Sequence, residues 1–469
     1  MADTAAPAQP TAEQVAATMR TKRFVVLLVL VAVIGVLVSL ASWCFLELIY
    51  QIQRELFTHL PHALGYHSGA PLWWSLPVVG IGALLAALAI TRLPGEGGHL
   101  PARGLAAGGS HNAMDLPGVL LAGLATIGCG LVLGPEAPLI ALGAGLALLT
   151  MRIWRRETPP EVLVVIGAAG SFAAISFIFG SPLIAAVILI EMAGIGGPRM
   201  PLVLLPGLLG AGIGSLTSIG MGSWTGLSTS AFALAPLSLP HFGHPDIAQF
   251  GWTIALAAAI ALATRAIMLG GLGTYRLVAR RMLLLLPVIG LVIAGLAIAF
   301  SQAADKSVND VLFSGQAALP GLVAQAGSWS VSALAMLIAF KGAAYSLSLG
   351  SFRGGPTFPA VFLGVAAGIL ASHLPGYAMV PGVAVGIAAA AAAVLKLPLS
   401  AVVVATLMCT KAGAGDEPLI IVGVVVAYLV MLVVTAAPSA KQAAAERPVA
   451  QTTRTPAVAA PEPAAAEKR

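Results

Sequence analysis

The sequence predicts an all-α integral membrane protein, and three observations predict it. Of its 469 residues, 58% are hydrophobic and only 9% carry charge, too few charges to cover the surface of a soluble domain of that size. The apolar residues fall in continuous runs rich in Ala, Leu and Gly, without the alternation of lipid-facing strands that a β-barrel requires. The run from Phe24 to Tyr50, FVVLLVLVAVIGVLVSLASWCFLELIY, is longer than the apolar core of a signal peptide and precedes no small-residue cleavage site, so it reads as a retained transmembrane helix.

Taken in order, residues 1–23 begin with an aperiodic Ala/Pro-rich stretch, a composition that favours a disordered tail. Arg20, Lys22 and Arg23 stand just before the first span and, with the Arg and Lys of the C-terminal tail, place both termini in the cytoplasm by the positive-inside rule. Residues 24–222 read as a first membrane repeat and 249–437 as a second. Between them, 223–248 holds Pro and Gly but no Lys or Arg, the mark of a connecting loop. Residues 438–469 are again Ala/Pro-rich and polar, a second disordered tail too short to add a regulatory domain. Roughly fourteen apolar segments lie between the tails. Segments such as 136–151, 182–196 and 397–410 fall short of the ~20 residues of a full helical span, so half-spanning or steeply tilted helices are expected.

Composition also excludes function classes. The net charge of +6 is scattered over loops and tails, with no basic domain interleaved with aromatics, so nucleic acid is not a partner. Cys44, Cys129 and Cys409 lie far apart in apolar segments, which supports neither a disulfide framework nor a metal site and predicts buried free thiols. No His-Glu zinc helix, nucleophile elbow or Asp dyad stands out. The chain is not read as an enzyme, and no cofactor or metal is expected.

Two pairs of motifs repeat in order. GPEAPLIALG, from Gly134, matches GPTFPAVFLG, from Gly355, at Gly, Pro, Pro, Leu and Gly, with an offset of 355 − 134 = 221. PLIAAVILIEM, from Pro182, matches PLSAVVVATLM, from Pro398, with an offset of 398 − 182 = 216. Two ordered matches at nearly equal offsets argue for homologous halves, and in membrane transporters such halves are commonly inverted, with paired Gly/Pro-interrupted segments pointing to a substrate site near the midplane. Proline suits a first helical turn and glycine permits close backbone approach, so each Gly-Pro starts a helix abruptly inside the protein. Unpaired N–H groups and a positive dipole end then point into the membrane interior, where an anion satisfies them without any buried cation.

Glu136 lies in the first turn of the first of these helices, where its carboxylate is favoured by the dipole and competes for the anion position. Protonation frees the site and couples anion passage to pH or to proton movement. Thr357, its repeat equivalent, does not titrate, which gives one gate per pore. A structural carboxylate capping its helix is the plainer reading of Glu136. Glu191, near the end of PLIAAVILIEM, is a weaker candidate for a proton pathway, since it also suits an interface. His99 stands in PGEGGHLP, either another helix start or a plain turn.

These residues resemble the CLC family of chloride channels and chloride/proton exchangers, over about residues 24–437. LGPEAP is similar to the family's Gly-Arg/Lys-Glu-Gly-Pro, which places Glu136 at the gating glutamate. GGHLP resembles Gly-Ser-Gly-Ile-Pro, with Gly98 where the family has an anion-contacting serine. GPTFP resembles Gly-x-Phe-x-Pro, with Thr357 at the phenylalanine position and Phe358 one place later. The resemblance implies a homodimer of two-repeat protomers with a pore in each, with backbone donors at Gly98, His99 and Leu100 and at Pro356, Thr357 and Phe358 around the anion. It also implies departures. Met192 aligns with the exchangers' internal proton glutamate, with Glu191 one residue earlier and about 100° around the helix, and Tyr428 falls inside the last apolar segment, whereas the family's pore tyrosine lies beyond it.

The expected function is transport of chloride or a similar small inorganic anion across a cell membrane, gated by Glu136, as a passive channel or with proton coupling. The competing expectation is a secondary carrier in which the same helix starts hold the carboxylate of an organic anion.

Overall fold

The structure is a computed structural model that describes residues 11–105, 113–154, 158–193, 197, 200–226, 234 and 236–436. In chain order the helices are α1 (Ala12–Met19), α2 (Lys22–Arg54), α3 (Leu60–Ala63), α4 (Ser75–Arg92), α5 (Leu116–Gly128), α6 (Glu136–Trp154), α7 (Pro160–Phe179), α8 (Pro182–Ala193) and α9 (Met200–Thr225). There follow α10 (Ile247–Val278), α11 (Met282–Ala304), α12 (Leu319–Ala324), α13 (Val331–Ser351), α14 (Thr357–Ala371), α15 (Met379–Leu395), α16 (Pro398–Met408) and α17 (Glu417–Thr435). Among the described residues the fold is all-α, apart from a single antiparallel bridge between Gly134 and Gly355. Residues 1–431 form one compact unit; of the second, 432–469, the described part is the last turn of α17 and Ala436.

Nine helical stretches are long and apolar enough to cross a membrane and five apolar helices are shorter, fourteen in all among the described residues. Two of the shorter ones, α14 and α15, occupy the interior. α15 has 17 residues, of which Val380 through Leu395 are buried, and α14 has 15, buried over most of its length. At 1.5 Å per residue these reach about 22–26 Å, less than the ~30 Å apolar thickness of a bilayer. A helix apolar on every side belongs in a protein interior or in lipid, and α14 and α15 take the first course, packing on each other and on the longer α10 and α13.

Small residues set the closest contacts, and they do so twice. A Cβ on Gly143 of α6 would lie 2.5 Å from the Gly170 carbonyl oxygen of α7; one on Gly364 of α14 would lie 2.1 Å from that of Gly386 of α15. The two crossings are related by offsets of 364 − 143 = 221 and 386 − 170 = 216, those of the sequence repeat. α8 and α16, the paired Pro-Leu helices, pack on each other.

Some expectations differ in detail. Ala12–Met19 is helical where a disordered tail was expected, because Thr11 and Gln14 form a capping box and Val15 is buried. The expected connecting loop begins inside α9, which runs to Thr225, and α10 starts at Ile247. Part of that loop, the first ten residues and the C-terminal tail lie outside the described residues. Cys129 and Cys409 are buried free thiols as expected, whereas Cys44 is exposed, on a side of α2 that no other helix covers.

Candidate functional site

The two Gly-Pro motifs meet. Gly134 donates its N–H to the Gly355 carbonyl at 2.8 Å, and Gly355 donates to that of Gly134 at 2.6 Å, an antiparallel pairing that places the starts of α6 and α14 side by side. The Glu136 side chain lies against both glycines: a Cβ on Gly355 would lie 1.9 Å from its carboxyl carbon, and one on Gly134 would lie 2.1 Å from Oε2, so neither place holds a larger residue while the side chain is there. The glutamate at the head of α6 is therefore folded into the seam, with 1% of its surface exposed.

There the carboxylate of one repeat meets the helix start of the other. Glu136 Oε1 accepts the Thr357 N–H at 2.5 Å, one of the donors that an α-helix leaves free in its first turn. Glu136 Oε2 and Thr357 Oγ1 are both buried and lack a hydrogen-bond partner among the described residues. A carboxylate that already satisfies an opposing helix start sits where a free anion would otherwise bind. Phe358 is buried with its ring 5.6 Å from that of Phe179, so its side chain forms an apolar wall. Pro356 contributes its carbonyl, which accepts the Tyr345 hydroxyl at 2.5 Å.

Gly98, His99 and Leu100 lie on a neighbouring break between α4 and α5. Gly98 has φ +96°, a conformation that favours glycine, and its N–H is donated to the Gly95 carbonyl at 2.8 Å, inside the loop. His99 is exposed and Leu100 buried. The loop approaches the second half through Gly97, where an added Cβ would lie 2.9 Å from Arg353 Cγ. Glu191 stands apart from this junction. Its carboxylate accepts the N–H groups of Leu399 at 3.0 Å and Ser400 at 2.8 Å and the Ser400 hydroxyl at 2.6 Å, which makes it the N-terminal cap of α16.

Sequence reasoning expected no buried cation and missed two. Arg353 is 5% exposed and Lys341 fully buried. Lys341 Nζ lies 3.0–3.2 Å from the carbonyl oxygens of Asp310, Val311, Leu312 and Phe313 and 4.5 Å from the ring centroid of Phe362. One turn further along α13 is Tyr345, and Ser348 follows, its Oγ accepting the Val132 N–H at 3.2 Å. One face of α13 thus holds segments leading to both helix starts. The signal was present: a lone lysine in the apolar run LIAFKGAAYS and an arginine in SFRGGP are ionisable groups placed where bilayer interiors penalise them.

Comparison with known proteins bears on the family and the fold. Residues 82–432 match the family described as "Voltage gated chloride channel". The Escherichia coli O1:K1 protein named "Putative ion-transport protein YfeO" is 31% identical over 361 residues, 75% of this chain and 81% of that one. Among solved structures, a slow cyanobacterial Cl⁻/H⁺ antiporter superposes with TM-score 0.71 at 17% identity, covering 88% of this chain and 95% of that one. A CLC-type fluoride/proton antiporter superposes with TM-score 0.58 at 20% identity, covering 87% and 95%. At these identities the two structures speak to the fold.

Proposed function

The chain belongs to the voltage-gated chloride channel, or CLC, family, and from that premise we propose that anions cross where α6 and α14 begin, with the Glu136 carboxylate as the gate. As a family member it is an anion channel or an anion/proton antiporter. The observation that carries the gate is the Glu136 Oε1 contact with the Thr357 N–H: the carboxylate of one repeat satisfies the helix start of the other and must leave before an anion takes its place. Protonation removes the charge that holds it there.

The transported species is chloride or a similar small inorganic anion, and protons move with it if each gate opening carries one across. The functional unit is a homodimer in the plasma or inner membrane, with both termini cytoplasmic; the cluster Arg20, Lys22 and Arg23 ahead of α2 supports that orientation. Glu191 acts as a helix cap, its three hydrogen bonds being its support.

The deciding experiment is chloride efflux from proteoliposomes with external pH recorded, wild type beside Glu136→Gln. Efflux with stoichiometric proton uptake that disappears in the variant identifies an exchanger, and efflux without proton movement a channel. Saturable organic-anion uptake with no halide flux would overturn the assignment, and identical flux and pH response in the two proteins would remove Glu136 as the gate.

A further inference from the structure

Arg353 joins the two halves of the candidate site. It precedes Gly355 by two residues, is 5% exposed, and packs Cγ beneath Gly97 of the first half. Nε donates to the Glu96 carbonyl at 3.1 Å, and Nη1 donates to that of Phe352 at 3.2 Å. No carboxylate lies within ion-pair distance of it, the single ion pair among the described residues joining His59 to Glu55; the charge that does reach it from the acidic side is that of Glu96. The Glu96 side chain, though close in sequence to the contact, is exposed, and water screens an exposed charge far more than a buried one.

A guanidinium presents five N–H donors in one plane. Among the described residues two are engaged, which leaves three, all on Nη1 and Nη2. A buried cation whose acidic neighbour, Glu96, is exposed and screened is costly, and it is costlier beside a helix start whose dipole has the same sign. The charges of Arg103 and Arg353 both reach His99, so positive potential extends along the Gly98–Leu100 loop. Such a concentration of unpaired donors and charge is matched by a small anion lying against the free edge.

Resting on the reading of this chain as an anion transporter, we propose that the free Nη1/Nη2 edge of Arg353 coordinates the transported anion, and that its planar fork favours a planar oxyanion such as nitrate over a spherical halide. Two parallel N–H groups fit two oxygens of a trigonal anion, whereas a halide meets them only as a point charge. Lysine in the same place keeps the charge and loses the fork.

The test is calorimetric titration of the purified full chain with sodium nitrate and sodium chloride, together with liposome flux of each anion, for wild type, Arg353→Lys and Arg353→Gln. Wild type is expected to favour nitrate by about tenfold. Arg353→Lys is expected to hold chloride within about threefold of wild type and to lose the nitrate preference, and Arg353→Gln to weaken both anions by about tenfold or more. A residue that only braces the loop lowers the yield of folded protein and leaves the nitrate-to-chloride ratio unmoved, which overturns the proposal, as does wild-type affinity in Arg353→Gln. Should Arg353→Gln not fold, the ratio in Arg353→Lys decides alone. Anion flux that still responds to Glu136→Gln while the ratio stays fixed sinks this proposal only; absence of any inorganic anion flux in wild type sinks both it and the proposed function.

Discussion

Lys341 shows how a single residue is made tolerable in an apolar interior. Its ammonium has three protons and no acceptor of its own, and four main-chain carbonyls converge on it within 3.2 Å, replacing the water that the charge gave up. Lys341→Met keeps the length of the stem and leaves those four carbonyls without their donor, so a loss of about 3 kcal/mol or more is expected, in the range for breaking a buried charged cluster. Thermal unfolding in detergent measures it, and an unchanged midpoint would contradict the role given to the cluster. The carbonyls belong to 310–313, and Phe313 donates its N–H to the Gly130 carbonyl at 2.9 Å. The damage should therefore reach the segment that leads to Gly134, lowering anion flux as well as stability.

At the scale of the elements, the helices were legible because their signals are local. Gly-Pro at 134–135 and 355–356 marked the starts of α6 and α14, Pro182 and Pro398 began α8 and α16, and the repeat offsets foretold which helices correspond. Pairings across the fold were not legible. That Glu191 caps α16 depends on a contact spanning 208 and 209 positions, and neither residue's neighbours announce it. Glu191→Ala is expected to cost about 1 kcal/mol, the usual worth of a cap, and to leave any anion-to-proton ratio unchanged; a shifted ratio would return Glu191 to the proton path. The helix crossings make a second prediction. Gly386→Ala puts a methyl 2.1 Å from the Gly364 carbonyl oxygen, so α14 and α15 must part, at about 1–3 kcal/mol for an overpacked core. Gly212→Ala, inside α9 where a Cβ meets nothing within 4 Å, is the control that should hold the melting midpoint or raise it slightly through helix propensity.

For the molecule as a whole, the sequence conveyed the all-α membrane class because that is a property of composition and periodicity. It did not convey the electrostatics of the interior, where Glu136, Lys341 and Arg353 are all nearly or fully buried. The partners of those charges are backbone groups contributed by distant segments. The proposed dimer is checked by native mass spectrometry in detergent, with an assembly of two 47.2 kDa chains expected; a stable single chain with full transport activity would show that one copy suffices. Lys341 has a further consequence at this scale. Converging main-chain carbonyls are the groups with which channel proteins replace the water around a dissolved cation, and such an ion held here would tie the stability of the fold to the concentration of that ion outside. Here the cation is covalently leashed to α13, so the shell is filled at any salt concentration, and a protein whose task is to let ions pass keeps its own architecture independent of the ions around it.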